Sequence, residues 1–325
     1  MKILITGGAG YVGSKLVPRL LELNHEITVL DLMLYGQDVL EQNLNLKKIK
    51  GDIRDQELLK KIIPGHDVVI HLACISNDPS FELNPKLGKS INLDAFEPLV
   101  QISRRHKVNK FIYASSSSVY GIKKEKNVTE DMKLEPLTDY SKFKGLCEEI
   151  LNNYKSDDFI TTTIRPSTVC GYAKRQRLDL VVNILTNHAF HNKLIKVFGG
   201  DQLRPNVHID DMVDSYVKVI DAAPNKINGE IFNVGFRNQT VNELAQDVKT
   251  IIGEEVKIEK TKSDDNRSYH VSSKKIDQVL GFRTKFTVKD AVADLKQAFE
   301  KKLLPNSMND EKYFNIKKMQ SIDLK

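Results

Sequence analysis

Five short runs rich in β-branched and aromatic residues, "KILIT" (2–6), "EITVLD" (26–31), "DVVIHLA" (67–73), "KFIYASS" (110–116) and "ITTTIRP" (160–166), alternate with segments of helical periodicity. Strands separated by helices pair in parallel, because the crossover between parallel partners needs about a dozen residues or more. The alternation therefore predicts βαβ units and an α/β fold with a doubly wound parallel sheet. Val12, Leu16, Leu20 and Leu23 recur near helical spacing, predicting a crossover helix over 11–24 with Pro18 inside it. Past residue 170 the pattern loosens into loops, helical segments at 178–190, 241–252 and 289–302, and one more strand, "EIFNVG" (230–235). The polar stretch 305–325 is expected to be peripheral.

Composition removes several function classes. Forty-nine basic against forty-three acidic residues leave a net charge of +6, but the lysines are scattered as pairs such as Lys47-Lys48, Lys123-Lys124 and Lys274-Lys275, without interleaved aromatics. Such pairs are solvated faces, so no nucleic acid is expected. Cys74, Cys147 and Cys170 are too few and too far apart for a disulfide framework or a CxxC site, and no Cys/His cluster exists, so no metal is expected and a cytoplasmic location is the simplest. The first apolar run breaks at Gly7, too short for a secretory signal, and nowhere do eighteen apolar residues run together, so no membrane association is expected.

The turn after the first strand carries Gly7, Gly10 and Gly13 in front of the first helix, spaced G-x-x-G-x-x-G. A helix N-terminus offers unpaired N–H groups and a partial positive charge, and glycines let a pyrophosphate approach it. Asp31 ends the second strand, where a carboxylate accepts ribose hydroxyls and repels a 2′-phosphate. The expected cofactor is NAD in preference to NADP. The alternative is a tight packing turn, with Asp31 as a turn residue.

In "TDYSKFKGLCEEILNNY" (138–154), Tyr140, Phe143, Lys144, Cys147, Ile150 and Leu151 share one helical stripe, which sets a lysine on an apolar face four residues after a tyrosine. An ammonium beside a phenol, helped by a nicotinium charge, draws the phenol pKa towards neutrality and makes a general base. "YASSSSVYG" (113–121) ends a strand in four serines, whose hydroxyls at the carboxyl edge of a parallel sheet face the ligand crevice.

Together, "TGGAGYVGS" (6–14), "GDIRD" (51–55), "HLA" (71–73), "YASSSSVYG", "YSKFK" (140–144), "RPSTVCG" (165–171) and "RPNVHIDDM" (204–212) resemble the extended short-chain dehydrogenases/reductases, specifically the NAD-dependent nucleotide-sugar epimerase/dehydratase group. The resemblance implies a Rossmann domain over 1–168 plus about 204–235, and a smaller substrate-binding domain from 169–203 and 236–325. It implies that Gly7, Gly10 and Gly13, with Tyr11 and Val12, pass the cofactor pyrophosphate, that Asp31 holds the adenosine ribose, and that Asp52, Ile53, Leu72 and Ala73 also line the cofactor. Tyr140 and Lys144 become the catalytic pair, also touching the cofactor, and Ser116 the catalytic hydroxyl.

The group's 4,6-dehydratases carry Asp-Glu at the two positions after that serine, whereas this chain has Ser117 and Ser118, which disfavours dehydration and decarboxylation. What the resemblance then implies is epimerisation of a nucleotide-diphosphate sugar, at C4, through a transient keto sugar; alternatives are a net 4-dehydrogenase or ketoreductase and a non-catalytic NAD-responsive scaffold. Arg204 and Arg267 are expected at the donor diphosphate, where a guanidinium pairs bidentately. "RQRLDLVVN" (175–183) departs from the common epimerase loop and is similar to a bacterial subset that includes enzymes acting on GDP-heptoses; Arg175, Arg177 and Asn183, with Ser117, are further substrate candidates. His71 and His208 are expected to be structural. A homodimer is implied through the helix near 87–106 and the Tyr140 helix.

Overall fold

The structure is a computed structural model and describes all residues but 77, 126, 263–269, 323 and 325. Six strands follow one another through the first half: β1 (Lys2–Thr6), β2 (Glu26–Asp31), β3 (Leu46–Lys50), β4 (Val68–His71), β5 (Lys110–Ala114) and β6 (Ile160–Pro166). Then come β7 (Thr168–Cys170), β8 (Leu194–Phe198), β9 (Leu203–His208), β10 (Glu230–Val234), β11 (Arg237–Thr240) and β12 (Lys257–Thr261). The main sheet runs β10-β6-β5-β4-β1-β2-β3, with every neighbouring pair parallel.

Period-two alternation divides the core between the two faces of this sheet. Ile3, Ile5, Val29 and Ile70 point to one side, where Leu16 and Leu20 of α1 (Gly13–Glu22) pack. Leu4, Leu30 and Val69 point to the other, towards α2 (Gln56–Ile62), α3 (Phe96–Arg105) and α4 (Asp139–Tyr154). Pro18 lies inside α1 without ending it. The expected single helix near 87–106 is instead a helix at Pro85–Lys89, a π-helical turn at Ser90–Asp94 and α3. The wide turn aims the Asn92 amide at Ile75, accepting from its N–H (2.8 Å) and donating to its carbonyl (2.9 Å), which anchors the chain where it leaves β4.

β3, with sequence "LKKIK", was not foreseen as a strand; it pairs only with β2, at one margin of the sheet. At the other margin, β10 is packed against by the helix Lys274–Leu280. In the second half, α5 (Val181–Asn192), α7 (Val241–Ile252) and α8 (Val288–Glu300) form a separate apolar core with β8, through Val182, Val197, Leu244, Val248 and Val292. α6 (Ile209–Asp221), also unforeseen, instead returns to α1, burying Met212, Val213 and Tyr216 under the main sheet. No helix among the described residues is long and apolar enough to cross a membrane.

The expectation of a peripheral tail is corrected. Tyr313 is buried, and α9 (Asn315–Ser321) folds back onto the short helix Asp78–Glu82 with Asn315 buried at its start and Met319 in the wall of the main cleft.

Candidate active site

The strand order turns back between β1 and β4, and a cleft of about 540 Å³ opens there at the carboxyl ends of the strands, as expected of a doubly wound sheet. Gly7, Gly10, Tyr11, Val12, Gly13, Asp31, Asp52, Ile53, Leu72 and Ala73 all line it. The glycines do different things. A Cβ on Gly7, whose φ is +74°, would lie 2.5 Å from the Ala73 nitrogen, and one on Gly13 2.4 Å from the Gly8 carbonyl, so the protein's own packing demands both. A Cβ on Gly10 would meet only the Gly7 carbonyl, at 3.1 Å, so its face is open to a ligand. α1 starts there without a side-chain cap or an acidic residue in its first turn, which keeps the N-terminal pole positive.

Asp31 is a turn residue that also lines the cleft. Its carboxylate accepts from the Ala9 N–H (3.0 Å) and the Met33 N–H (2.8 Å), fixing the turn, and faces the cleft. Burial pushes this carboxyl up, opposed by those two N–H groups and by the Arg175 charge. Burial also works against the charge of Asp52, but bonding to Arg54 wins and holds that carboxyl below its ordinary range. An open glycine face at an uncapped helix terminus, an acid ending β2 and buried guanidinium donors without partners among the described residues (Arg175 Nε and Nη1, Arg177 Nη2) fit a dinucleotide.

α4 begins with a capping box in which Thr138 accepts from the Ser141 N–H, and Thr138 also donates to Asp78 at 2.5 Å. This sets Tyr140, in the first turn, in the cleft wall together with Ser116, whose hydroxyl draws the phenol pKa down against the effect of burial. Ser116 has extended backbone and lies 2.8 Å, Oγ to Oγ, from Ser118; Ser117 lines the cleft beside them. Burial pushes the Tyr140 phenol well up, Cys74 and Asp78 add to this, and the Arg177 charge opposes it. Lys144 is only 4% exposed and donates to the Ala114 carbonyl at 2.6 Å; its Nζ is 5.9 Å from the Tyr140 ring centre and 5.0 Å from that of Tyr113. The ammonium thus lies near the Tyr140 ring and is anchored by a backbone oxygen. A buried ammonium needs an oxygen acceptor, and the last carbonyl of β5 supplies it.

Beneath the serines, Arg165 pairs with Glu148 (2.5 Å) and donates to the Tyr120 hydroxyl (2.7 Å), while Ser115 donates to Glu148. The serine edge is thus floored by a buried ion pair that sequence reasoning did not identify.

Of the substrate candidates, Arg175, Arg177 and Arg204 line the cleft with Ser117. Asn183 does not. It is fully buried on α5, donating to the Tyr11 hydroxyl (3.0 Å) and the Arg177 carbonyl (2.8 Å) and accepting from the Gly171 N–H (3.0 Å), so it fastens the second half of the chain to the glycine turn. Arg267 lies outside the described residues. Tyr35, Cys74, Ser76, Asp78, Asn315 and Met319 also line the cleft and were missed. Cys74 and Ser76 follow β4 at the carboxyl edge, a signal that was legible; Asn315 comes from the tail, and nothing local announces it.

His208 caps α6, accepting from the Asp210 N–H at 3.2 Å, and stacks near Phe286. Its ring, Asp210 and Asp294 bring ligand atoms within 4.8 Å of one another, but Asp210 is also paired with Lys15 at 2.9 Å. His71 is buried, 2.7 Å from the Thr6 hydroxyl and stacked with Tyr113. Burial, with Lys144 nearby, holds its pKa down to about 3. The folded protein therefore keeps this imidazole neutral while the unfolded chain protonates it below about 6.5. Its contribution to stability is complete above that pH and is lost as the pH falls towards 3, by roughly 1.4 kcal/mol per unit. Urea unfolding at pH 6.5 and 4.5 should give a smaller loss of stability for His71→Gln than for the native chain; equal losses would exclude this histidine as a source.

Comparison with known proteins agrees with this geometry. Residues 3–235 match the model of the NAD dependent epimerase/dehydratase family. A putative UDP-glucose 4-epimerase of Methanocaldococcus jannaschii is 31% identical over 259 residues, covering 77% of this chain and 82% of its own. A UDP-N-acetyl-alpha-D-glucosaminuronate decarboxylase of Bacillus cytotoxicus is 29% identical, covering 79% of this chain and 82% of its own. The crystal structure of UDP-glucuronic acid 4-epimerase from Bacillus cereus, in complex with UDP-glucuronic acid and NAD, superposes with a TM-score of 0.83 at 27% identity, covering 93% of this chain and 99% of that one. With its parallel sheet, its open glycine turn and its Ser116–Tyr140–Lys144 cluster, the chain belongs to the NAD-dependent epimerase/dehydratase family of extended short-chain dehydrogenases/reductases.

Proposed function

We propose that this protein is a nucleotide-sugar epimerase that inverts C4 of a nucleotide-diphosphate sugar through a transient 4-keto sugar. The observation that carries the reading is that Ser116, Tyr140 and Lys144 share one cleft wall, with the Lys144 ammonium fixed by the Ala114 carbonyl. Bound NAD supplies a reversible hydride acceptor. Ser116 and Tyr140 bracket the sugar hydroxyl oxygen; Tyr140 takes its proton as the carbon is oxidised and returns it once the ketone has presented its other face. The Lys144 charge lowers the cost of the phenolate that burial otherwise opposes. Ser117 and Ser118 offer hydroxyls where elimination of water would require a carboxylic acid and a carboxylate. Arg204, in the cleft wall, takes the donor diphosphate. Two copies pair through α3 and α4, which light scattering of the purified protein tests.

The test is incubation with UDP-, GDP-, dTDP- and CDP-sugars in deuterated water, followed by chromatography and mass spectrometry. An isomer of unchanged mass without deuterium supports inversion by hydride return. Deuterium uptake points to enolisation beside a ketone, and loss of two hydrogens makes the protein a net dehydrogenase. Loss of water overturns the argument from Ser117 and Ser118, and no change on any donor favours a non-catalytic scaffold.

A further inference from the structure

Two arginines in the cleft carry more donors than the protein satisfies. Arg175 is 4% and Arg177 9% exposed, yet Nε and Nη1 of Arg175 and Nη2 of Arg177 have no hydrogen-bond partner among the described residues. Charged donors left unpaired in a buried site are costly, so a pair of them marks a place built to receive an anion. Asp179 lies 3.0 Å from Arg177 and is, among the described residues, the one carboxylate paired with either guanidinium, which leaves the pair a surplus positive charge.

Their position says which anion. The Arg175 N–H donates to the Ser14 hydroxyl in the first turn of α1, at 3.3 Å, and the Tyr11 hydroxyl of the glycine turn donates to the Gly171 carbonyl at 2.6 Å. The loop 171–177 therefore lies across the N-terminus of α1, and both arginines line the cleft that this terminus faces. Arg175 also acts on Asp31, which ends β2 on the cofactor side of that cleft.

The same arginines are held from a distant part of the chain. Arg175 stacks 3.6 Å from the Tyr35 ring centre and donates to Asn315 Oδ1 at 2.6 Å, which also accepts from the Tyr35 hydroxyl at 3.1 Å. Asn315 Nδ2 donates to Ser76 Oγ (2.8 Å), which accepts from Arg177 as well (3.2 Å), and the Asn315 N–H donates to Asp179 (2.9 Å). One asparagine at the start of α9 thus bonds to Arg175 itself and to both Asp179 and Ser76, which hold the Arg177 guanidinium.

We propose that Arg175 and Arg177 clamp the diphosphate of NAD against the glycine turn, and that Asn315 is the positioning residue through which the C-terminal segment closes the cofactor cleft. The clamp concerns the cofactor and stands apart from which sugar carbon is inverted. It moves these arginines from the sugar donor, where the sequence had put them, to the dinucleotide. The donor carries a diphosphate of the same chemistry, so the test separates the two.

Full-length protein stripped of NAD is titrated by calorimetry with ADP-ribose and, separately, with UDP. Arg175→Gln and Arg177→Gln should each weaken ADP-ribose on the order of tenfold, as loss of a charge-assisted hydrogen bond does, and leave UDP within about twofold. Asn315→Ala should weaken ADP-ribose less and speed the release of NAD from the loaded protein, followed by fluorescence. UDP binding doubles as the check that each variant is folded, and Arg175→Lys and Arg177→Lys should recover part of the lost affinity. Weakened UDP with unchanged ADP-ribose would assign the clamp to the donor and overturn the proposal. Unchanged binding of both, or no recovery by lysine in variants that still bind UDP, would overturn it as well.

Discussion

Tyr140→Phe is expected to lower turnover by roughly 10²–10⁴-fold, the usual worth of a positioned general acid–base. The substitution removes one oxygen and keeps the ring that packs with Phe143 and the apolar face of α4. Ser116 remains within reach of the sugar oxygen, but an aliphatic hydroxyl cannot take its proton near neutral pH. The phenol is pushed up by burial, so the native rate should climb with pH until the phenol ionises in the loaded enzyme, while the residual rate of Tyr140→Phe stays flat across the same range. Steady-state rates on the donor that the protein accepts, with NAD content measured alongside, provide the check. A variant that turns over within tenfold of the native enzyme would mean that the proton leaves by another route.

The second large effect concerns stability. Arg165→Met should cost about 3–5 kcal/mol, because it leaves the Glu148 carboxylate buried without a counter-charge. The double variant Arg165→Met with Glu148→Gln should regain much of that loss, since the neutral amide no longer needs the cation and can still accept from Ser115. Urea unfolding of the native protein, both single variants and the double variant gives the coupling directly. A loss below 1 kcal/mol in Arg165→Met would show that water or a rearranged neighbour compensates, and the floor under Ser116 would then be less rigid than its bonding suggests.

The sheet and the cofactor turn were legible because both obey local rules. Alternation announced β1, β2, β4, β5 and β6, and the glycine spacing with Asp31 announced the cleft. β3 escaped because an edge strand buries little and "LKKIK" has almost no apolar face. α6 escaped because "RPNVHIDDM" was read as a motif, although Met212 at its end and Tyr216 and Val219 beyond it are buried at helical spacing. Asn183 was placed at the substrate because it ends the segment "RQRLDLVVN" that resembles a nucleotide-sugar subset, but its position on α5 turns it inward to Tyr11. Helical spacing puts Lys144 on one face with Tyr140, but it does not announce the Ala114 carbonyl that the ammonium bonds to. The tail looked solvated because "EKYFNIKKMQ" is polar, and the bonds that draw Asn315 into the cleft reach residues 35, 76, 175 and 179. Such contacts leave no periodicity to read.

The polar margin strand that was so hard to foresee also limits how these molecules can gather. β3 is the margin of the main sheet that no other described strand covers, and it carries Lys47, Lys48 and Lys50 within five residues. A second copy that extended the sheet there would set two rows of like charge side by side, the arrangement by which natural sheets discourage fibre growth. Strand addition at this margin is thereby disfavoured, and crowded solutions of the protein are protected from runaway sheet growth there.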